Sequence, residues 1–278
     1  MKSVANAFLL LGALSAAPGS LAADFNACVR TLRGEAMGLG ITSQTFDQAM
    51  KGVEPDPGVL DAMDNQPEFT TPVWDYLASL VDEQRIADGK AGLGEWAAVL
   101  EGVEKKFGVD RHIVVAVWGV ETNYGKNTGK RPLVRSLATV SCFGGRQRYF
   151  RGELVAALRI LQSGDVPPEA LTGSWAGAFG QTQFMPSTFH RSAVDFDGDG
   201  RRDIVNSVPD ALASSANYLK NAGWTSGQPW GYEVRLPPGY KGPAGRRARQ
   251  ALARWSEFGI RGTDGAALTG NGQAALFL

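Results

Sequence analysis

The chain has 278 residues, 44% of them hydrophobic, and its 28 Lys+Arg balance its 28 Asp+Glu. That is enough apolar material for one large domain or two packed ones. The even charge excludes the basic surfeit expected of a nucleic-acid binder, and the only two histidines, His112 and His190, are not at metal-ligand spacing, which argues against a zinc hydrolase.

The N-terminus reads as a secretory signal over residues 1–23. Lys2 precedes an apolar Ala7–Ala17 run, and Ser20-Leu21-Ala22 or Leu21-Ala22-Ala23 offers a small-residue processing junction. That run, like the later Ile113–Val120, is too short to span a bilayer comfortably, so no transmembrane helix is expected. Cys28 follows Phe25-Asn26-Ala27, a poor context for lipidation. A soluble exported protein, periplasmic in location, is therefore expected. Export permits a bridge between Cys28 and Cys142, the only cysteines; the sequence leaves both a disulfide and two buried thiols open.

The mature chain reads as mostly helical. Phe25–Met37 forms a helix, Thr42 or Ser43 opens a short one through Ala49, and Pro55–Pro67 reads as an irregular connection. Pro72–Ala87 carries Trp74, Leu77, Leu80 and Val81 in helical register, with Asp82, Glu83 and Arg85 on the wet side. Leu93–Phe107 follows, with Trp96, Leu100, Val103 and Phe107 as its stripe. Next comes DRHIVVAVWGVETNYG, Asp110–Gly125, which has Asp110 as N-cap and Gly125 as stop signal.

In that helix Ile113, Val117 and Glu121 share a face, and Trp118 lies three residues before the acid. Burial beside an apolar stripe and an indole disfavours the charged carboxylate and raises its pKa. An acid still protonated near neutral pH can donate a proton to a leaving oxygen.

Downstream, Leu133–Val140 is a short helix. Arg146–Leu161 is a longer one, with Tyr149, Phe150, Leu154, Leu158 and Leu161 facing inward and Glu153 as a solvated surface charge. Pro186–Ala193 and Pro209–Ala222 are helices, Tyr232–Leu236 is one strand, and Arg246–Phe258 is a basic helix. The apolar Ala274–Leu278 run calls for pairing in a sheet or for further chain. Between the helices, GSWAGAFGQTQFMPST (Gly173–Thr188) interleaves glycines with Trp175 and Phe179. Glycines allow close backbone approach to a ligand, the aromatics offer faces for sugar rings, and Gln183 offers amide donors and an acceptor.

A third motif is DFDGDGRRD. Asp195, Asp197, Asp199, Arg201 (through its carbonyl) and Asp203 occupy positions 1, 3, 5, 7 and 9 of an EF-hand-like loop. Asn206 stands at position 12, where a glutamate is expected, and Asp210 would need a longer loop to reach. Structural calcium, bracing and not catalytic, is the expected occupant.

Together, GVETNYGKNTGK (Gly119–Lys130), the YFRGEL helix, GSWAGAFGQTQFMPST, AVDFDGDG (Ala193–Gly200) and DALASSANYLKNAGW (Asp210–Trp224) resemble the lytic murein transglycosylase B family. The resemblance runs from about Phe25 to Trp224. It implies a mainly α (α+β) protein with a lysozyme-like core and additional helices. The helical part would span about 24–107, the core about 108–225, and a small β or irregular region about 226–278.

The resemblance further implies Glu121 as the single catalytic glutamate and Ser174, Gln183 and Tyr218 along a sugar-binding cleft; by position, Tyr124 is either a further wall of that site or core packing. The implied substrate is the glycan strand of peptidoglycan, cleaved between N-acetylmuramic acid and N-acetylglucosamine with closure of a 1,6-anhydro ring, without a cofactor. A muramidase using water on the same scaffold is the enzymatic alternative. A non-catalytic peptidoglycan-binding protein is the other, because family members continue past Leu278 with a Tyr-Asn segment that has no counterpart here. The family pattern also carries an aromatic where Gln181 stands.

Overall fold

A computed structural model describes residues 18–65 and 71–278. The expected signal run, up to Ala17, lies outside the described residues, as does Gln66–Thr70 of the QPEFTTPVWDYL stretch. The chain falls into two compact units, Met1–Ser226 and Gly227–Leu278.

The first unit is helical: α1 (Pro18–Gly38), α2 (Ser43–Ala49), α3 (Pro57–Asp64), α4 (Val73–Leu80), α5 (Glu83–Glu95), α6 (Ala97–Phe107), α7 (Arg111–Thr122), α8 (Leu133–Phe143), α9 (Gln147–Ser163), α10 (Pro186–Ser192) and α11 (Val208–Asn221). One two-stranded ladder, β1 (Arg131–Pro132) against β2 (Thr172–Gly173), interrupts them, a pairing too short to leave a period in the sequence.

Two apolar clusters hold this unit. One joins α1, α2, α8, α9 and α10 through Phe25, Phe46, Leu137, Phe150, Leu158 and Phe189. The other joins α6, α7 and α11 through Leu100, Val103, Val114, Trp118 and Leu212. Each fully buried Leu or Phe contributes roughly 1.5–3 kcal/mol relative to exposure. Cys28 on α1 is bonded to Cys142 on α8, with Cα atoms 5.8 Å apart.

Several sequence expectations shift. Pro55–Pro67 is not irregular throughout: Pro57 sits at the first position of α3, where a missing N–H costs nothing, and Asp56 caps the helix by accepting from the Gly58 N–H. The Pro72–Ala87 helix divides because Asp82 is an N-cap, accepting from the Arg85 N–H, and so ends α4 and opens α5. The stripe on α4 is not covered among the described residues: Trp74, Leu77 and Val81 are exposed. The Leu93–Phe107 helix likewise divides at Trp96 into α5 and α6.

Helix α9 corrects two residues. Tyr149 is exposed, and Glu153 is only 3% exposed. Glu153 lies three residues after Phe150, on the apolar face, so the period carries the acid inward. Its carboxylate accepts from the Ser187 N–H at 2.9 Å and the Ser187 hydroxyl at 2.7 Å, which caps the first turn of α10 from another helix. Ser187→Ala is expected to cost about 2–3 kcal/mol, since a bond to a buried charge is lost. Urea unfolding measures this, and a loss below ~0.5 kcal/mol would mean that Glu153 is satisfied without the hydroxyl.

The second unit carries β3 (Val234–Arg235), β4 (Gln250–Ala251), α12 (Leu252–Glu257), β5 (Arg261–Gly262) and β6 (Gln273–Ala274), around Trp255, Ile260, Leu268 and Leu276. The expected basic helix Arg246–Phe258 shrinks to α12, because Gln250–Ala251 pairs with Gln273–Ala274. The C-terminal apolar run therefore adjoins a paired strand, and β3 pairs with β5.

Candidate active site

Helix α7 starts as its sequence dictates, with the Asp110 carboxylate accepting from the His112 N–H at 2.7 Å. It ends earlier than the Gly125 signal suggests. Asn123 (φ 50°) and Tyr124 (φ 59°) both take left-handed conformations immediately after the last turn. Two consecutive non-glycine residues there store strain on the order of 1–3 kcal/mol each, a cost that concentrates at functional sites.

Glu121 occupies that last turn. Ile113 and Val117 are half-buried, and Glu121 itself is exposed, so it does not end a buried stripe. Solvent reaches the carboxyl, yet the surrounding protein crowds it enough that desolvation raises its pKa. The shift was expected, but the indole does not act as a bare apolar wall. The Trp118 N–H donates to the Gln181 side-chain oxygen at 2.9 Å, inside the α6–α7–α11 cluster.

The Gly-rich segment folds back on itself beside this helix end. Gly177, at φ 96°, has no room for a side chain because a Cβ would meet Leu137 at 2.5 Å. Glycine there serves packing against α8, not approach to a ligand. Phe179 is wholly buried against Phe189, so it offers no face to a sugar, and Trp175 is half-buried.

Ser174 turns its hydroxyl to its own loop, accepting from the Ala178 N–H at 3.0 Å. Gln183 has φ 48°, and its amide donates to the carbonyls of Thr128 and Gly180 at 3.1 and 3.0 Å, which ties it to the segment after Glu121. Tyr218, exposed on α11, sets its ring 5.6 Å from that of Phe184, the residue after Gln183. Tyr124 packs edge-on against Trp118 at 5.4 Å, and its hydroxyl donates to the Arg85 carbonyl at 2.7 Å, so it braces α5 against α7. The end of α7, the glutamine turn and α11 thus meet around Glu121's neighbours.

The acidic loop gathers a different set from the one its spacing suggests. Asp195, Asp197 and Asp210 bring one oxygen each within 4.8 Å of one another. Asp199 instead accepts from the Arg201 N–H, Asp203 is buried and accepts from the Val205 and Asn206 N–H groups, and the Arg201 side chain is exposed. Asp210 reaches the loop because α11 starts against it: its buried carboxylate accepts from the N–H groups of Phe196, Asp197 and Asp203. Burial raises its pKa, the loop N–H groups oppose that rise, and the charge of Asp197 adds to it. In sequence Asp210 reads as a helix-start acid three residues after its Ser207 cap, which hides this role.

The profile of one protein family, the transglycosylase SLT domain, matches residues 24–278. Over 217 residues the chain is 33% identical to the membrane-bound lytic murein transglycosylase B of Escherichia coli (strain K12), a match over 73% of this chain. The match spans 60% of that protein's length. Among solved structures, SltB3 from Pseudomonas aeruginosa in complex with NAG-NAM-pentapeptide superposes with a TM-score of 0.86 at 48% identity, over 91% of this chain and 69% of that one. The Escherichia coli lytic transglycosylase Slt35, solved in complex with calcium, gives a TM-score of 0.79 at 28% identity over 90% of this chain and 79% of that one. The mainly helical, lysozyme-like fold is the one these structures share.

Proposed function

The chain belongs to the transglycosylase SLT domain family, and from that membership we propose that it is an exported peptidoglycan lytic transglycosylase. The observation that carries the reading is Glu121: a solvent-reachable carboxyl on a strained helix end, held above its ordinary pKa by desolvation. Protonated, it donates its proton to the glycosidic oxygen between N-acetylmuramic acid and N-acetylglucosamine. The muramoyl N-acetyl oxygen assists at C1 as that bond breaks. The Glu121 carboxylate then takes the proton of the muramoyl 6-hydroxyl, whose oxygen bonds to C1 and closes the 1,6-anhydro ring. One carboxyl serves as acid and then base, so no second carboxylate of the kind used by two-acid glycosidases is needed.

The family resemblance assigns Ser174, Gln183 and Tyr218 to the glycan-binding cleft, a reading supported by the bonds that tie Gln183 to the segment following Glu121 and by the contact of Tyr218 with Phe184. The NAG-NAM-pentapeptide bound to SltB3 supports a glycan strand as substrate. The Cys28–Cys142 bond supports an oxidising compartment, the periplasm, as the site of action. Among the described residues no helix is long and apolar enough to cross a membrane. Product analysis of purified peptidoglycan by mass spectrometry is the test. Anhydromuramoyl ends that vanish with Glu121→Gln are expected. Reducing muramoyl ends would make the protein a muramidase, and absence of products from the unaltered chain would overturn the catalytic reading.

Asp195, Asp197 and Asp210 are the residues that would hold calcium, a fit supported by their hard oxygen donors and by the calcium bound in Slt35. Bound there, the ion supplies charge neutralisation to the loop and takes no part in bond cleavage. Calcium at a hundredfold excess over its Kd is expected to add about 2.7 kcal/mol of stability, seen as a Tm roughly 5–10 °C higher than in chelator. Asp210→Asn is expected to erase that difference. Identical melting curves with calcium and with chelator would remove the site.

A further inference from the structure

We propose that Gln181 is a positioning residue for Glu121, an inference that rests on the catalytic reading above. Gln181 is buried and makes four hydrogen bonds, two on each side of itself. Toward α7, its side-chain oxygen accepts from the Trp118 indole N–H at 2.9 Å, and its backbone carbonyl accepts from the Thr122 hydroxyl at 2.8 Å. Trp118 and Thr122 are the residues three before and one after Glu121, so a single residue holds the turn that carries the acid from both ends. Away from α7, the Gln181 backbone N–H donates to the Ile204 carbonyl at 2.9 Å and its amide nitrogen donates to the Val205 carbonyl at 3.1 Å.

Ile204 and Val205 are themselves fixed. The Val205 N–H donates to Asp203, and the Asp203 N–H donates to Asp210. The turn bearing Glu121 is therefore anchored through one glutamine to the buried start of α11. The contact is close on its remaining side too: Gly125, at φ 78°, has no space for a Cβ, which would lie 2.6 Å from the Gln181 side-chain oxygen. Thr122 completes the clamp by accepting from the Gly125 N–H at 3.0 Å. A glutamine suits this place because one planar group both accepts from an indole and donates to a carbonyl, which neither a phenylalanine or tryptophan ring nor an aliphatic chain does.

Misplacing an acid by about an ångström costs up to roughly 100-fold in rate without touching binding. Gln181→Met removes the side-chain bonds to Trp118 and Val205, and the isosteric Thr122→Val removes the Thr122 bond to the Gln181 carbonyl. Both are expected to lower kcat by roughly 10- to 100-fold with KM little changed. The alkaline limb of the kcat/KM profile should move to lower pH as Glu121 becomes better solvated. The double variant should lose little beyond the worse single one, since both act on the same turn.

Folding is checked by near-UV circular dichroism, and if Gln181→Met does not fold, Thr122→Val decides. Unchanged kcat and an unchanged pH limb in a folded variant would overturn the proposal. Titration of the Glu121 side-chain carbon by NMR, which needs no turnover, separates the two readings: an unaltered titration in Thr122→Val overturns the positioning role even if no lytic activity is found, and an altered one supports it.

Discussion

Glu121→Gln is expected to lower kcat by roughly 10²- to 10⁴-fold, the usual worth of a positioned general acid, while leaving glycan binding intact. Glutamine keeps the shape and hydrogen-bonding capacity of the side chain but has no proton to give and cannot take one back. The same substitution carries a stability signature that a glutamate held by an ion pair or by hydrogen bonds to its charged form would not give. Desolvation raises the Glu121 pKa in the folded chain. A raised folded pKa means that the folded state disfavours the ionised form, so the stability present below the unfolded pKa is lost as pH rises through the folded one. The neutral glutamine escapes that penalty. The variant's Tm should equal or exceed that of the unaltered chain at pH 7, and the difference should close on acidification below the ordinary carboxylate range. Near-normal lysis by Glu121→Gln, or a Tm deficit larger at pH 7 than at pH 4, would refute the role.

Reduction of the Cys28–Cys142 bond, or Cys28→Ser with Cys142→Ser, is expected to produce the largest stability change in the molecule. The two cysteines are 114 residues apart. In the chain-entropy account a loop of that size is worth roughly 4–5 kcal/mol, which corresponds to a Tm fall on the order of 10–20 °C in a chain of this size. The bond joins α1 to α8, and the apolar cluster around Phe25 and Leu137 depends on α1 staying docked. Differential scanning calorimetry with and without reductant gives the value. A fall of less than about 3 °C would mean that the α1 packing holds without the bond.

How much of this was legible before the structure depends on the kind of signal each residue carries. Asp110 as cap, the α7 run, Thr42 opening α2, and the order of segments around Glu121 were all readable, because local propensity and motif spacing agree there. Asp82 is ambiguous in sequence because a carboxylate on a helix's wet face and a carboxylate capping the next helix look alike in one dimension. Glu153 is hard to read because its charge points to the surface while the helical period places it inside, where Ser187, 34 residues away, satisfies it. Asp210 joins Asp195 and Asp197 only through the path of α11, a tertiary fact. Gln181 stood out as a departure from the family pattern, but its two-sided role needs the positions of Trp118, Thr122 and Val205 together.

The disulfide has a second consequence, apart from melting. Cys28 and Cys142 bracket α2 through α7, including Glu121 and the strained residues after it. A protease that nicks the chain anywhere between them leaves two fragments still covalently joined, with the helices on either side of the cut tethered to the same α1–α8 base. Wherever a protease cuts between the two cysteines, the severed backbone therefore remains a single covalent piece.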